Sequence, residues 1–298
     1  MRIATNTISS NLITQIQDLN SQQASLQAEV SSGRKLTNPS DDPAAMGRVL
    51  NMQAEQASLS HYASNASRAL SISQASYSGL SSLKTISDRA GQIATLGTGT
   101  NGAAANSAYG SEVDQLIEQA VQTANSKFGN DYLYAGSAVG TAPITSTRNA
   151  SGQITSVAYA GNTQQVAIPL SDTSSVAPGT DHTTNTGLRD LINNLISLRD
   201  ALNTNNSAAV AATQPNLTTT ENTLVTSLAD AGAVQTRIEA SQTQQQNLST
   251  ALTALISSET DADLPSTVVK LTQAQTAYQA ALQTTASIMK TSLMDYLK

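Results

Sequence analysis

The chain has no cysteine, no tryptophan and a single phenylalanine, and only 12% of its 298 residues are charged. Each scarcity excludes something. Without cysteine there is no disulfide, thiolate metal ligand or nucleophilic thiol. Ordinary soluble domains carry about twice this charge density, roughly 25%. What charge there is leans acidic, net −6 with a sequence pI of about 4.8. The Lys and Arg residues form no cluster, so a nucleic-acid partner, which needs a basic stripe to displace phosphate counterions, is not expected. No apolar run approaches the roughly 18 residues needed to cross a bilayer, so no membrane partner is expected either. Large apolar side chains are themselves sparse: Leu, Ile, Val and Phe make up about a fifth of the chain, near the level at which chains stay disordered.

Ala, Ser, Thr, Gln and Asn fill most of the remainder. Such a chain buries little apolar surface per residue, and marginal stability alone is relieved by packing against partners. Low charge density also lets like subunits approach without strong repulsion. The start, MRIATNTISSNLITQIQDLN, has one Arg but no continuous apolar segment, and passes directly into an amphipathic pattern. Export without a cleaved signal peptide is therefore expected if the protein leaves the cell.

Two terminal stretches and one internal stretch carry a coiled-coil pattern. Leu12, Ile16, Leu19, Gln23, Leu26 and Val30 alternate in steps of four and three, and Gly33 with Pro39 beyond it reads as a helix stop. Leu264, Val268, Leu271, Gln275, Tyr278, Leu282, Thr285, Met289, Ser292 and Tyr296 keep the same alternation. A third series runs Leu217, Glu221, Leu224, Leu228, Ala231, Gln235, Ile238 and on to Ser249, Leu252 and Ile256. Between the seams, residues 43 to about 95 read as a weaker helix with Val49, Ala63, Leu70, Tyr77, Leu80 and Leu83 on a loose stripe. GTGTNGAAANS reads as a loop, and Ser111 with Asp114 as a capping-box-like start of a shorter helix. A β patch begins at DYLYAG. NASG at 149–152 is a turn between PITSTR and QITSVAYA, and helix resumes from Leu188 to Leu202. The expected fold is mainly α: a long antiparallel helical bundle or coiled coil formed by both termini, with a small β-containing module inserted at the distal end. The expected divisions are 1–42, an N-terminal assembly helix and linker; 43–129, helical; 130–186, the β module; 187–257, helical; and 258–298, a C-terminal assembly helix.

No catalytic constellation assembles. In SDDP, Asp42 before Pro43 reads as a helix cap, its carboxylate taking orphan N–H groups while proline occupies the first helical position. Asp263 ahead of Pro265 reads as the cap of the last helix. The alternating acids Glu259, Asp261 and Asp263 leave weak cation binding conceivable, against a solvated turn. His61 and His182 are the only histidines and lack ligand-spaced companions. Neither a G-x-S-x-G elbow nor a phosphate loop occurs. Tyr132, Tyr134 and Tyr159 read either as packing of the β module or as an aromatic patch for sugar or protein. No cofactor or metal is expected, and no enzymatic activity.

One resemblance covers most of the chain. SSGRKLTNPSDDPAA followed by helix resembles the N-terminal signature of the flagellin superfamily, in which Ser-Ser-Gly precedes a Lys/Arg-containing link and a double-Asp helix start. Flagellins proper more often read Asp-Asp-Ala-Ala-Gly. PSDDPAA is closer to the hook–filament junction branch, and NDYLYAGSAVGTAPI, VAYAGN and the ending AALQTTASIMKTSLMDYLK agree with it. Tyr134 is a departure, since the family commonly has Phe there. The resemblance implies export in an unfolded state through the flagellar channel, aided by a cytoplasmic chaperone that binds the C-terminal region. It also implies terminal helices paired in an inner coiled coil, self-association in a ring or layer, and a place outside the cell between hook-associated protein 1 and the first flagellin. Ile8, Leu12, Ile16, Leu19, Leu26 and Val30 would then pack with Leu264, Val268, Leu271, Tyr278, Leu282, Met289, Leu293 and Tyr296, within the subunit and against neighbours. The alternatives are a filament-forming flagellin of the same superfamily and a secreted glycan-binding adhesin.

Overall fold

The computed structural model describes the backbone of residues 2–99 and 102–296, and the side chains of 10–99 and 102–288. The helices are α1 (Arg2–Ser32), α2 (Pro43–Gly97), α3 (Ala103–Ala124), α4 (His182–Asn203), α5 (Ser207–Thr260) and α6 (Leu264–Tyr296). Between α3 and α4 lie β1 (Lys127–Phe128), β2 (Asp131–Tyr132), β3 (Ile144–Arg148), β4 (Ile154–Tyr159), β5 (Ile168–Pro169) and β6 (Ser175–Val176), paired as three two-stranded antiparallel sheets. The fold is mainly α with a small β module. Among the described residues no helix is long and apolar enough to cross a membrane.

The chain divides into two compact units. One holds the residues up to Ala57 and from Leu248 onward, the other Ser58–Asn247. The divisions fall inside α2 and α5, away from the linkers at which the sequence reading divided the chain.

The Ser58–Asn247 unit owes its order to two clusters of buried residues. Along α2 one buried series, Ala66, Ala69, Ser73, Ser76, Leu80, Leu83, Ser87, Ala90 and Ala94, steps by three and four, with Ile86 and Ile93 buried beside it. Most are Ala or Ser. Of the stripe expected here, Val49, Leu80 and Leu83 are buried and Leu70 is half-buried, while Ala63 and Tyr77 face solvent. Leu188, Leu191, Leu195 and Leu198 of α4, Val113 and Ile117 of α3, and Leu217 and Leu224 of α5 cluster with the Leu80–Ala94 part of the buried series, while Ala66 and Ala69 cluster with Leu170, Val176 and Ile238. Arg199 of α4, its side chain 4% exposed, ties three elements together. Its Nη1 donates to Asp114 of α3 at 2.9 Å and to the carbonyl of Ile154 in β4 at 2.7 Å, and its Nε donates to Asp200.

The β3–β4 hairpin turns at Asn149–Gly152, where Gly152 has φ +83° and its N–H donates to the Asn149 carbonyl. Its two outer edges are covered by asparagines. The amide of Asn125 exchanges two hydrogen bonds with the backbone of Ile144, both 2.9 Å, and that of Asn193 does the same with Val157 at 3.1 and 3.2 Å. Each side chain supplies the donor and acceptor that a further strand would have offered.

Several expected features lie elsewhere. The helix containing Ser111 begins eight residues earlier, at Ala103, with Gly102 as a cap that makes no side-chain bond. Ser111 is therefore interior, its hydroxyl donating to the Ser107 carbonyl, and it caps nothing. The alanines of GTGTNGAAANS join the helix because alanine has the strongest helix propensity and the connector needs only the glycine-rich half. Likewise α4 starts at His182, where Asp181 accepts a 2.8 Å bond from the Thr184 N–H. The three tyrosines form no shared patch. Tyr134 is fully buried, its hydroxyl donating to the Ser76 carbonyl at 2.9 Å, and Gly79 leaves the room it needs: a Cβ there would stand 2.2 Å from the hydroxyl. Tyr159 is bonded to the Asn162 carbonyl and lies edgewise on His182.

Candidate assembly site

The unit that contains both chain ends has almost no core. Between residues 10 and 28 of α1, the positions that are not exposed are Leu12, Ile16, Leu19, Gln23 and Leu26, and α1 packs on α6 along them. Val30 continues the series half-buried. This is the stripe that the four–three spacing marked.

On α6 the stripe is displaced. Toward α1 it presents Ser266, Thr267, Leu271, Ala274, Tyr278, Ala281 and Thr285, of which Thr267 donates to Glu29 of α1 at 3.2 Å. Leu271, Tyr278 and Thr285 belong to the predicted series; Leu264, Val268 and Leu282 do not face the seam and are 44%, 47% and 43% exposed. Gln275 is exposed as well. The reason is geometric. Two series one residue apart share Leu271, Tyr278 and Thr285, and one residue is about 100° of helix rotation. The small side chains of Thr267, Ala274 and Ala281 let two helices approach closely, whereas Val268 and Leu282 would hold them apart. Size alone marked the wrong side of the helix; the Ala274–Ala281 spacing was the available signal. The side chains of Ile8, Met289, Leu293 and Tyr296, also predicted here, lie outside the described residues.

A clasp ties the α1–α2 linker to the α5–α6 linker. Arg34 and Asp261 form an antiparallel bridge, with the Lys35 N–H donating to the Thr260 carbonyl at 2.8 Å and the Ala262 N–H to the Gly33 carbonyl at 2.9 Å. Gly33 has φ +70°, a left-handed turn that glycine adopts without strain. Lys35 Nζ donates to the Ser258 carbonyl, and Arg48 of α2 grips Glu259 with two bonds of 3.2 and 3.0 Å.

The paired acids of SDDP divide their work. Asp41 Oδ2 accepts from the N–H groups of Thr37 and Asn38 at 3.1 and 2.8 Å, holding the turn that leads in. Asp42 Oδ1 accepts from the N–H groups of Ala44 and Ala45 at 3.0 and 2.9 Å, capping α2, with Pro43 the first helical residue. At α6 the Thr267 N–H donates to the backbone carbonyl of Asp263, the first bond of the helix itself rather than the side-chain cap expected of Asp263.

The alternating acids are likewise engaged with protein groups: Glu259 by Arg48, and Asp261 by the hydroxyls of Ser257 and Thr260. The Asn38 and Thr37 N–H groups hold the Asp41 carboxyl below its usual range. The Arg48 guanidinium does so for Glu259, and the Ser257 and Thr260 hydroxyls do so for Asp261. Among the described residues no three His, Asp or Glu side chains group to hold a metal ion.

With this geometry in hand, likeness to known proteins becomes informative. Residues 3–139, which include α1, the clasp linker and α2, match the family described as the bacterial flagellin N-terminal helical region. That stretch is thus similar to a flagellin-type N-terminal region. The chain's fold, further, is the one shared by solved hook-associated proteins of the FlgL type. The putative flagellar hook-associated protein of Vibrio parahaemolyticus aligns with a TM-score of 0.66 at 15% identity, covering 74% of this chain and all of that one. FlgL of Bacillus cereus aligns at 0.60 and 17%, covering 70% and 99%, and FlgL of Xanthomonas campestris at 0.53 and 14%, covering 70% and 99%. No curated protein matches the chain.

Proposed function

We propose that this protein is a structural, non-enzymatic adaptor of the bacterial flagellum, joining the hook to the filament at the junction between hook-associated protein 1 and flagellin. The observation that carries the reading is the unused apolar flank of α6. In a chain so poor in large apolar residues, Leu264, Val268 and Leu282 stand exposed beside a seam closed by smaller ones. Removing such a side chain from water is worth about 1.5–3 kcal/mol, and a few of them against each of several neighbours offset the ordering of chain ends on assembly. A second copy of the same helix pair, or the equivalent helices of hook-associated protein 1 and flagellin, supplies the missing surface. The hook-associated and FlgL relatives support the junction role, and the likeness of residues 3–139 to the flagellin N-terminal region supports packing of this kind.

Several further features follow from the same reading. The protein is exported unfolded to the cell exterior, with a chaperone holding the C-terminal region whose apolar flank would otherwise associate early. Polar seam positions such as Gln23 delay association of the free monomer at some expense of stability. Fluorescent labelling of the protein in intact cells tests the junction: a single spot between hook and filament is the expected result. Signal along the whole filament would instead identify a filament-forming flagellin, a reading favoured by the family matched over residues 3–139. Polymerisation of the purified protein into long filaments would be the matching outcome in vitro. A chain lacking residues 271–298 should retain a soluble Ser58–Asn247 unit and fail to join the hook tip; motility supported by that truncation would overturn the mechanism.

A further inference from the structure

The Ser58–Asn247 unit holds a cleft that assembly through the terminal helices does not use. Its volume is about 330 Å³, within the range of small-ligand sites, about 300–1,000 Å³. Phe128, Tyr132, Val166 and Ile168 provide apolar wall, and Asn65, Arg68, Asp131 and Gln165 stand among them. Phe128 is the chain's only phenylalanine and is 38% exposed, and Val166 beside it is exposed too. Tyr132 carries Lys127 Nζ over one ring face at 4.3 Å.

The polar groups retain unused bonding capacity. Arg68 and Asp131 approach only to 3.8 Å, beyond a direct hydrogen bond. Asn65 spends its Nδ2 on the Pro169 carbonyl at 3.1 Å, which leaves its carbonyl oxygen as an acceptor. Gln165 reaches the Gly179 carbonyl at 3.5 Å. Gln165 and the segment 178–180 also form one wall of a second chamber of about 280 Å³. That chamber is lined by Ser76, Thr184, Ser227, Asp181, Asp230 and Arg237. Thr184 and Ser227 satisfy each other at 2.7 Å, and the Ser76 hydroxyl is fully buried and has no partner. It is sealed from the chamber, like the hydroxyls of Ser73 and Ser87 on the same helix, and belongs to the helix packing.

Aromatic and aliphatic surface interleaved with planar amide, carboxylate and guanidinium groups matches one ligand chemistry: a pyranose. Its C–H face lies on an aromatic ring, and its vicinal hydroxyls each donate and accept. A purely apolar ligand would leave Arg68, Asp131 and Asn65 stripped of water without replacement bonds. An anion would meet the carboxylate of Asp131. We infer that this cleft is a carbohydrate-binding site, with a sugar ring against Phe128 and Tyr132 and its hydroxyls within reach of Asn65, Arg68, Asp131 and Gln165. The inference is independent of the junction role.

Saturation-transfer NMR on the full chain tests it, with glucose, galactose, N-acetylglucosamine, lactose and chitobiose at millimolar concentration as probes. Transfer to ring C–H protons of at least one of them is expected. Phe128→Ala and Arg68→Ala, both at exposed positions, should each weaken that binding at least tenfold, and Tyr77→Ala, exposed and outside the cleft, should leave it unchanged. Absence of transfer to all five sugars overturns the proposal, as does sugar binding indifferent to Phe128 and Arg68. Displacement of an apolar dye such as anilinonaphthalene sulfonate from the cleft by hydrocarbon alcohols, without any sugar response, would assign the cleft to apolar ligands and equally overturn it.

Discussion

The two compact units use the same scarce apolar residues in opposite ways. In Ser58–Asn247, leucines and isoleucines are spent inward: Leu80, Leu83, Ile117, Leu191 and Leu195 are fully buried, and small residues complete the seam of α2. In the unit holding the chain ends, the seam is closed by Thr, Ala and a few Leu, while Ile13, Leu50, Leu248, Leu255, Leu264, Val268, Val269, Leu282 and Ile288 remain exposed. One unit is finished as a monomer. The other shows apolar surface waiting for cover, and its order as a single subunit rests on the short clasp of backbone bonds and ion pairs at the linkers. Exposed apolar residues are unremarkable singly; the other unit has its own in Tyr77, Leu96, Phe128, Val166 and Val225. Concentrated in the smaller unit that contains the termini, they point to where partners would pack.

The sharpest way to break this contrast is to make one substitution in both units. Leu195→Ala should lower stability of the Ser58–Asn247 unit by about 2–5 kcal/mol through the cavity it leaves, read from denaturant unfolding. Leu282→Ala should leave the monomer's unfolding within about 0.5 kcal/mol of the parent and instead reduce incorporation at the flagellum. Equal destabilisation by both would remove the distinction.

Next in size, Gly79→Ala forces the Tyr134 hydroxyl from its place and should cost about 1–3 kcal/mol. Combining it with Tyr134→Phe, which removes the clashing oxygen, should recover part of the loss in the same unfolding experiment. In the clasp, Asp42→Ala removes the side-chain cap of α2 and should cost about 1 kcal/mol locally. Faster hydrogen exchange at Ala44 and Ala45, with the core amides of α4 unchanged, would check it.

Smallest is the response to acid. Asp41, Glu259 and Asp261 have folded-state pKa values below their ordinary ones. They therefore add to stability above the unfolded carboxylate range, about 3.9–4.3, and that contribution fades as pH falls through their lower folded values. Asp41 and Asp261 are solvent-exposed and Glu259 is partly so, and the effect is screened accordingly. It should appear as gradual loss of exchange protection at the Lys35 and Ala262 amides below about pH 4, before the core responds.

How far the molecule was legible depended on side-chain size. Leu12, Ile16, Leu19 and Leu26 could be placed on one helix face because large apolar residues at four–three spacing have a single economical arrangement. On α2 only Leu80 and Leu83 of the seam could be read; the rest escaped notice because Ala and Ser at the same spacing carry no hydrophobic signal, although their positions are as regular. Ser111 misled because a Ser–x–x–Asp pattern caps only a helix that starts there, and the alanines before it had already begun one. The acids at 41–42 and 259–261 were legible as punctuation one stretch at a time. That Arg48 answers Glu259 across 211 positions was not.

The sequence by itself determined that the chain would be helical, poor in core, and built around amphipathic ends, because periodicity and composition act locally on the backbone. Tertiary structure alone decided which side of α6 meets α1, which tyrosine is buried, and that two distant linkers close on each other. Those outcomes depend on how closely two surfaces can approach, a property of both partners that neither stretch of sequence contains.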